Sequence, residues 1–154
     1  NQDREITMYN SILVPIDGSS HSEKALSLAC DLANKYTADL HIIYASNYLD
    51  FMIGIAGSEG VAGTPMISQE EYEQPYRDML ALAASAAAKN ECASVKSHFV
   101  TDSASKAILK CAQEIDADLI VIGSKGHGDF TGLILGSVSH RVLNSADCSC
   151  LIVR

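Results

Sequence analysis

The densest concentration of chemically useful residues is the run Gly123-Ser124-Lys125-Gly126-His127-Gly128-Asp129, followed by Gly132 and by Gly136-Ser137-Val138-Ser139. Glycine has no Cβ, so a loop this rich in it can bring its backbone close to a ligand and turn N–H groups inward. Where Gly136-Ser137 opens a helix, the unpaired N–H groups and positive dipole end attract an anion such as phosphate. Ser137 and Ser139 add hydroxyl donors and Lys125 a mobile cation, while His127 is placed either to touch phosphate or to stay in solvent. Lys125, Arg141 and Arg154 outnumber Asp129 and Asp147, so the stretch is slightly positive inside a chain of net charge −8. Phosphate binding is the chemistry these residues suggest, with Asp129 read as solvated.

Two familiar phosphate loops do not fit. No Gly-Lys-Ser or Gly-Lys-Thr follows the first glycine at P-loop spacing, and Thr131 stands where the dinucleotide fingerprint needs its third glycine. A second candidate is Asp17, which follows the apolar run 12–16 and precedes Gly18. Open α/β sheets hold ligands beyond the C-terminal ends of their strands, where such a carboxylate would lie. No Ser/His/Asp or Cys/His arrangement is evident. His21, His41, His98 and His140 have no cysteine or carboxylate at ligand spacing, so metal binding through them is not expected. Cys148 and Cys150 share one face of a strand, which reads as packing or a dimer contact. With Cys30, Cys92 and Cys111 they make an odd count of five, which suits reduced, mostly buried thiols.

The scaffold for these residues is one core, because 154 residues suit a single domain. A hydrophobic content of 47% excludes disorder, and the acidic balance excludes a general affinity for nucleic acid. No apolar run approaches membrane-span length and the N-terminus is polar, so a cytoplasmic protein is expected. Residues 1–8 have no apolar period and read as an N-terminal appendage or expression remnant, leaving 9–154 as the domain. Strands are expected at 12–16, 40–45, 95–100, 119–122 and 150–153. Helices are expected at 69–89, at 137–145, after a capping box of Ser20 and Glu23, and after a cap at Asp102 or Ser103. The fourth strand is apolar without alternation, so both its faces are covered; the third interleaves Lys96 and His98 and reads as less protected. Strands alternating with helical crossovers imply an α/β fold, a parallel sheet with helices on both faces. Gly54, Gly57, Gly60 and Gly63 read as a mobile loop, with Met52, Ile53 and Ile55 as the apolar residues of a lid in the sharper alternative.

Three separated stretches resemble the universal stress protein family: the opening 9–19 with Ile16-Asp17-Gly18, the segment 117–123, and Gly123, two residues, Gly126, nine residues, Gly136-Ser137. The resemblance spans 9–154. It implies a Rossmann-like fold of the adenine nucleotide alpha hydrolase-like type: an open five-stranded parallel sheet with helices on both faces. It also implies adenine nucleotide binding, as in many members, and a homodimer joined through the last strand, here Leu151, Ile152 and Val153. On the same resemblance Asp17 would face the ribose, Ile16 and Ala45 the adenine, and the main chain near Ile122 would help read the base. Gly123, Gly126, Gly136, Ser137 and Ser139 would hold ribose and phosphates, with Lys125 and Val138 in the same stretch. The chain departs from the family pattern at Ala45, smaller than the usual valine, at Lys125, where other bases are common, and at Ser149, which replaces a frequent proline.

The reading that results is an adenine nucleotide (ATP or AMP)-binding protein of the cytoplasm, a dimeric stress-response regulator that switches with its bound nucleotide. Mg²⁺ could bridge the phosphates through water. Phosphoryl transfer needs positioned Mg²⁺ ligands and a means of orienting the nucleophile, and the binding segments offer few carboxylates, so at most slow hydrolysis is expected. Two alternatives stay open. One is a Mg-dependent ATPase or nucleotide-dependent transferase, with Asp17 on the metal and Ser137 or Ser139 on the transferred group. The other is a nucleotide-free dimeric scaffold, against which the intact glycine pattern speaks.

Overall fold

The apolar run before Asp17 becomes the middle of the sheet. In β1 (Ser11–Pro15), Ile12, Leu13 and Val14 expose no surface at all. The computed structural model describes residues 8–57, 67–127, 132 and 134–154. Residues 1–7, Gly60, Gly63, Gly128 and Asp129 lie outside the described residues. After β1 come α1 (Ser20–Tyr36), β2 (Asp39–Ser46), α2 (Tyr48–Gly57), α3 (Gln69–Lys89) and β3 (Val95–Thr101). Then follow α4 (Ala104–Glu114), β4 (Leu119–Gly123), α5 (Ser137–Ser145) and β5 (Ser149–Val153).

The five strands pair in parallel in the order β3-β2-β1-β4-β5. Strand side chains alternate between faces, and the burial follows that period. Ile12, Val14, Leu40, Ile42, Leu119 and Val121 pack with Ala25, Ala29 and Ala33 of α1 and Leu80 and Ala87 of α3. Leu13, Ile43, Ile120 and Ile122 face the other way, onto Ala107, Ile108 and Cys111 of α4 and Val142 of α5. Each fully buried Leu, Ile or Val contributes roughly 1.5–3 kcal/mol. The edge strand β3 is only partly covered, as its interleaved Lys96 and His98 imply.

The alanines of α1 recur every fourth residue on one face and let the helix lie close on the sheet. The tightest point is Gly123, where a Cβ would stand 2.9 Å from the His21 carbonyl carbon and 2.9 Å from the His21 Cβ. At the opposite end of β1, the Asp118 carboxylate accepts the N–H groups of Asn10 (2.7 Å) and Ser11 (3.0 Å). That bond ties the entry of β4 to the start of β1.

The helix starts bring one revision, one choice between expected caps and one addition. Ser19, and not Ser20, caps α1: its hydroxyl accepts the Ser22 N–H, and Asp17 accepts the Ser19 N–H at 2.9 Å, so the turn closes one residue earlier. At α4 the N-cap is Ser103 without a side-chain bond, while Asp102 accepts the Ser103 N–H. A capping box of Ser68 and Glu71, with no counterpart in the sequence reading, starts α3.

The segment expected as a mobile glycine loop begins as the helix α2. Phe51 stacks on Tyr72 of α3 with centroids 4.5 Å apart, and Tyr48 meets the same ring at 5.4 Å. Those aromatic contacts outweigh the helix cost of Gly54, about 1 kcal/mol relative to alanine. Farther along α3, Glu73 is 2% exposed and accepts from Gln69 (3.0 Å), Arg77 (3.1 Å) and Thr101 (2.8 Å). Burial opposes its ionisation, but these bonds outweigh it and hold the carboxyl below the ordinary carboxylate value. Glu73 thus fastens α3 to the end of β3.

Gly123→Ala should lower stability by about 1–3 kcal/mol, because the added methyl meets the α1 backbone and not a flexible side-chain tip. Urea unfolding monitored by circular dichroism measures the loss, and a variant as stable as wild type would show that α1 can retreat freely.

Candidate functional site

The chain builds outward from β1 to β2 and β3, then returns to place β4 and β5 on the other side. Between β1 and β4, α1 covers one face of the sheet while α4 and α5 cover the other. Crossovers that part to opposite faces leave a crevice beyond the C-terminal strand ends. A cavity of about 600 Å³ opens there. Ligand sites of this kind measure roughly 300–1,000 Å³.

Every site residue read from the sequence lines this cavity. Ile16 and Asp17 extend from β1, Ala45 from β2, and Ile122 and Gly123 from β4. Lys125 and Gly126 follow β4, and Gly136, Ser137, Val138 and Ser139 begin α5. The two ends of the connection are drawn together by the backbone, since Ser124 N–H donates to the Val153 carbonyl and Gly136 N–H to the Ser124 carbonyl, both at 2.7 Å. That pinch sets the first turn of α5 beside the end of β4.

Asp17 has both oxygens engaged by backbone. Oδ1 accepts the Ser19 N–H at 2.9 Å and Oδ2 the His127 N–H at 3.2 Å. Partial burial works against its charge, but bonds from Ser19, Ser22 and His127 outweigh that cost and hold the carboxyl below its ordinary 3.8. An ionised carboxylate with lone pairs left over accepts hydroxyl groups and repels phosphate. Opposite in character is the start of α5, whose cap is Gly136 at φ −70° and ψ 162°, with no side-chain cap bond. The N–H groups of its first turn and the dipole of the helix favour an anion there.

Two roles expected for individual residues change. The Ser139 hydroxyl is buried and donates to the Gly123 carbonyl at 2.6 Å, so its proton serves the fold and is not available to a ligand. Gly123 is glycine because α1 crosses it; its lining position stands, but that contact alone accounts for the missing side chain. Met52, Ile53 and Ile55, the residues of the lid alternative, do not line the cavity. Instead α2 rests on the ring of Tyr72.

Sequence reasoning missed the α3 wall. Tyr72, Tyr76 and Met79 line the cavity with Tyr44 and Asn47 of the β2 end, and Tyr44 stacks on Tyr76 at 4.8 Å with planes 12° apart. The spacing of Tyr72 and Tyr76 by one helical turn was a signal that they share a face. Which face α3 turns to the sheet was not written locally. Ala104 and Ile108 of α4 close the other side.

Among the described residues no group of three or more His, Cys, Asp or Glu side chains could hold a metal ion. The five cysteines are free. Burial pushes the Cys111 thiol up to about 11 and, with Cys92 adding to it, Cys30 up to about 12, which makes both poor nucleophiles.

A doubly wound parallel sheet with a ligand-sized crevice at its switch point defines an open α/β protein, a class in which ligands are held beyond the strand ends. Within that class, the model of the universal stress protein family matches residues 8–154. The universal stress protein YxiE of Bacillus subtilis is 32% identical over 150 residues, covering 96% of this chain and 100% of the relative. UspA from Lactobacillus plantarum has the same fold with a TM-score of 0.76, at 21% identity over 95% of this chain and 98% of that one. A universal stress protein solved in complex with cAMP gives a TM-score of 0.71 at 25% identity, covering 95% and 97% of the two chains. The chain belongs to the universal stress protein family.

The folded-state depression at Asp17 has a definite sign. Its contribution to stability is present above pH 3.8 and is lost as pH falls through the lower folded value. Asp17→Asn should therefore cost about 1 kcal/mol at pH 7, allowing for partial solvent screening, and progressively less as the pH falls below 3.8. Urea midpoints of both proteins between pH 7 and 3 test this; parallel curves would remove Asp17 as an ionised anchor of the turn.

Proposed function

We propose that this protein binds an adenine nucleotide, ATP or AMP, in the β1–β4 crevice and acts as a regulator whose partner choice depends on the bound nucleotide. One observation carries the reading: a single cavity joins an ionised carboxylate, an apolar wall and the first turn of a helix with Lys125 beside it. Phosphates belong at α5 and Lys125, ribose hydroxyls at Asp17, and the base against Ile16, Ala45 and the main chain near Ile122. The charge pattern enforces that direction, since a phosphate beside Asp17 is repelled. The relative solved with cAMP, itself an adenine nucleotide, supports the same ligand class.

Among the described residues lining the cavity, Asp17 is the one carboxylate. Binding and switching therefore suit the site better than rapid phosphoryl transfer, which requires several placed charges. Mg²⁺ joining phosphate oxygens through water is compatible with that arrangement. The proposed homodimer uses β5, an edge strand whose Leu151 is 36% exposed and which runs on through Ile152 and Val153. Free thiols support the reducing cytoplasm as its location.

Mass spectrometry of ligand released from the purified protein should show an adenine nucleotide, and calorimetry should give its affinity. Gly136→Asp is the informative variant: aspartate is a favoured N-cap at these dihedrals, so α5 stays intact while a negative charge occupies the phosphate position. Affinity should fall about 100-fold, or roughly 2.7 kcal/mol. Wild-type affinity in a folded variant would place the phosphate elsewhere.

A further inference from the structure

Away from the crevice, two histidines meet between β2 and the edge strand β3. His41 lies opposite Lys96 and His98 opposite Ile43, so the two are diagonal neighbours on the α4 face of the sheet. His41 Nδ1 and His98 Nε2 are 2.9 Å apart. Ring centroids are 5.2 Å apart and the planes differ by 16°. The nitrogen separation plus the centroid-to-nitrogen radius of each ring accounts for the whole centroid spacing. The rings therefore meet edge to edge, nearly in one plane, in the geometry of a straight N–H···N bond and not of a face-to-face stack.

Such a bond needs one protonated and one bare nitrogen at the contact. It survives with both rings neutral, or with one of them charged. With both charged, two N–H groups oppose each other. We propose that His41 and His98 form a proton-operated latch, which fastens the edge strand β3 to β2 until both rings are protonated and then releases it.

The surroundings favour the closed state at neutral pH. His41 is 5% exposed. Burial, the neighbouring His98 and Lys96 lower its basicity against an opposing pull from Asp39. Burial also lowers that of His98, with Lys96 adding to it and Glu114 of α4 opposing. Both carboxylates are engaged by other cations: Asp39 pairs with Lys96 at 3.0 Å, and Glu114 with Lys110 at 3.7 Å. The unfolded chain, with histidines at the ordinary 6.5, binds more protons than the folded one below that pH. Stability is therefore full above pH 6.5 and falls as pH drops toward the folded values. The strand released is the edge opposite β5. Acidification would then loosen the β3 side of the sheet, and with it the hold of Thr101 on Glu73 of α3, while the proposed dimer edge β5 lies at the far side.

The test compares wild type with His98→Gln, which removes one titrating ring but keeps a polar side chain, and with His140→Gln, at an exposed position of α5, as the control. Between pH 7.5 and 5.5 the unfolding constant of wild type and of the control should rise more than that of His98→Gln, by up to about tenfold for each ring the fold keeps neutral. Should His98→Gln fail to fold, NMR titration of the wild-type imidazoles decides instead. Two coupled titrations shifted below 6.5 support the latch. Equal pH slopes, or two independent titrations at the ordinary value, would overturn it.

Discussion

The structure depends on the contact between the first turn of α1 and the end of β4. A parallel sheet must be covered on both faces, and its strand order here turns between β1 and β4. For the crevice at that turn to have a firm wall, α1 must start directly beyond β1 and lie close on β4. The absence of a side chain at Gly123 permits that approach, and the cap at Ser19 with its bond to Asp17 fixes where the helix begins. The same few residues thereby hold the helix, orient the carboxylate and form one side of the cavity.

Charge is divided across the molecule in a way that net charge conceals. From Asn47 to Asp78 the sequence has six acids, Asp50, Glu59, Glu70, Glu71, Glu73 and Asp78, against the single base Arg77. One of these acids is not a surface charge at all. Glu73 is buried among Gln69, Arg77 and Thr101, and Arg77 lies over the Phe99 ring at 3.8 Å. An ion pair with one partner this buried contributes through its hydrogen bonds and through placement more than through Coulomb attraction. It ties the first turns of α3 to the end of β3, beside Tyr72 and Tyr76 at the cavity. The cavity takes its polarity from Asp17 at the end of β1 and from Lys125 with the first turn of α5 beside the end of β4.

The layered α/β fold was legible because its signals are local. Ile12 to Val14 and Leu119 to Ile122 are apolar on consecutive residues, which only a strand covered on both faces explains, and both proved fully or almost fully buried. Lys96 and His98 marked β3 as less protected for the converse reason, and the structure places it at the edge. The α2 segment was misread because glycine spacing describes backbone freedom, whereas the helix is held by Tyr48 and Phe51 against a ring in another element. Ser139 was misread similarly: a serine at a helix start looks like a ligand donor until the Gly123 carbonyl arrives 2.6 Å away.

By itself the sequence determined the order of elements apart from α2, the parallel sheet and the residues at its C-terminal rim, because period, capping residues and strand-end position are properties of short stretches of chain. It also carried the family resemblance, since the matching stretches keep their types and order. Only the tertiary structure decided which residues share the crevice with Asp17, why position 123 must be glycine, and that His41 and His98 meet edge to edge. Each of those depends on the approach of segments distant in sequence. No local pattern encodes such a distance; it is set by how the helices pack on the sheet.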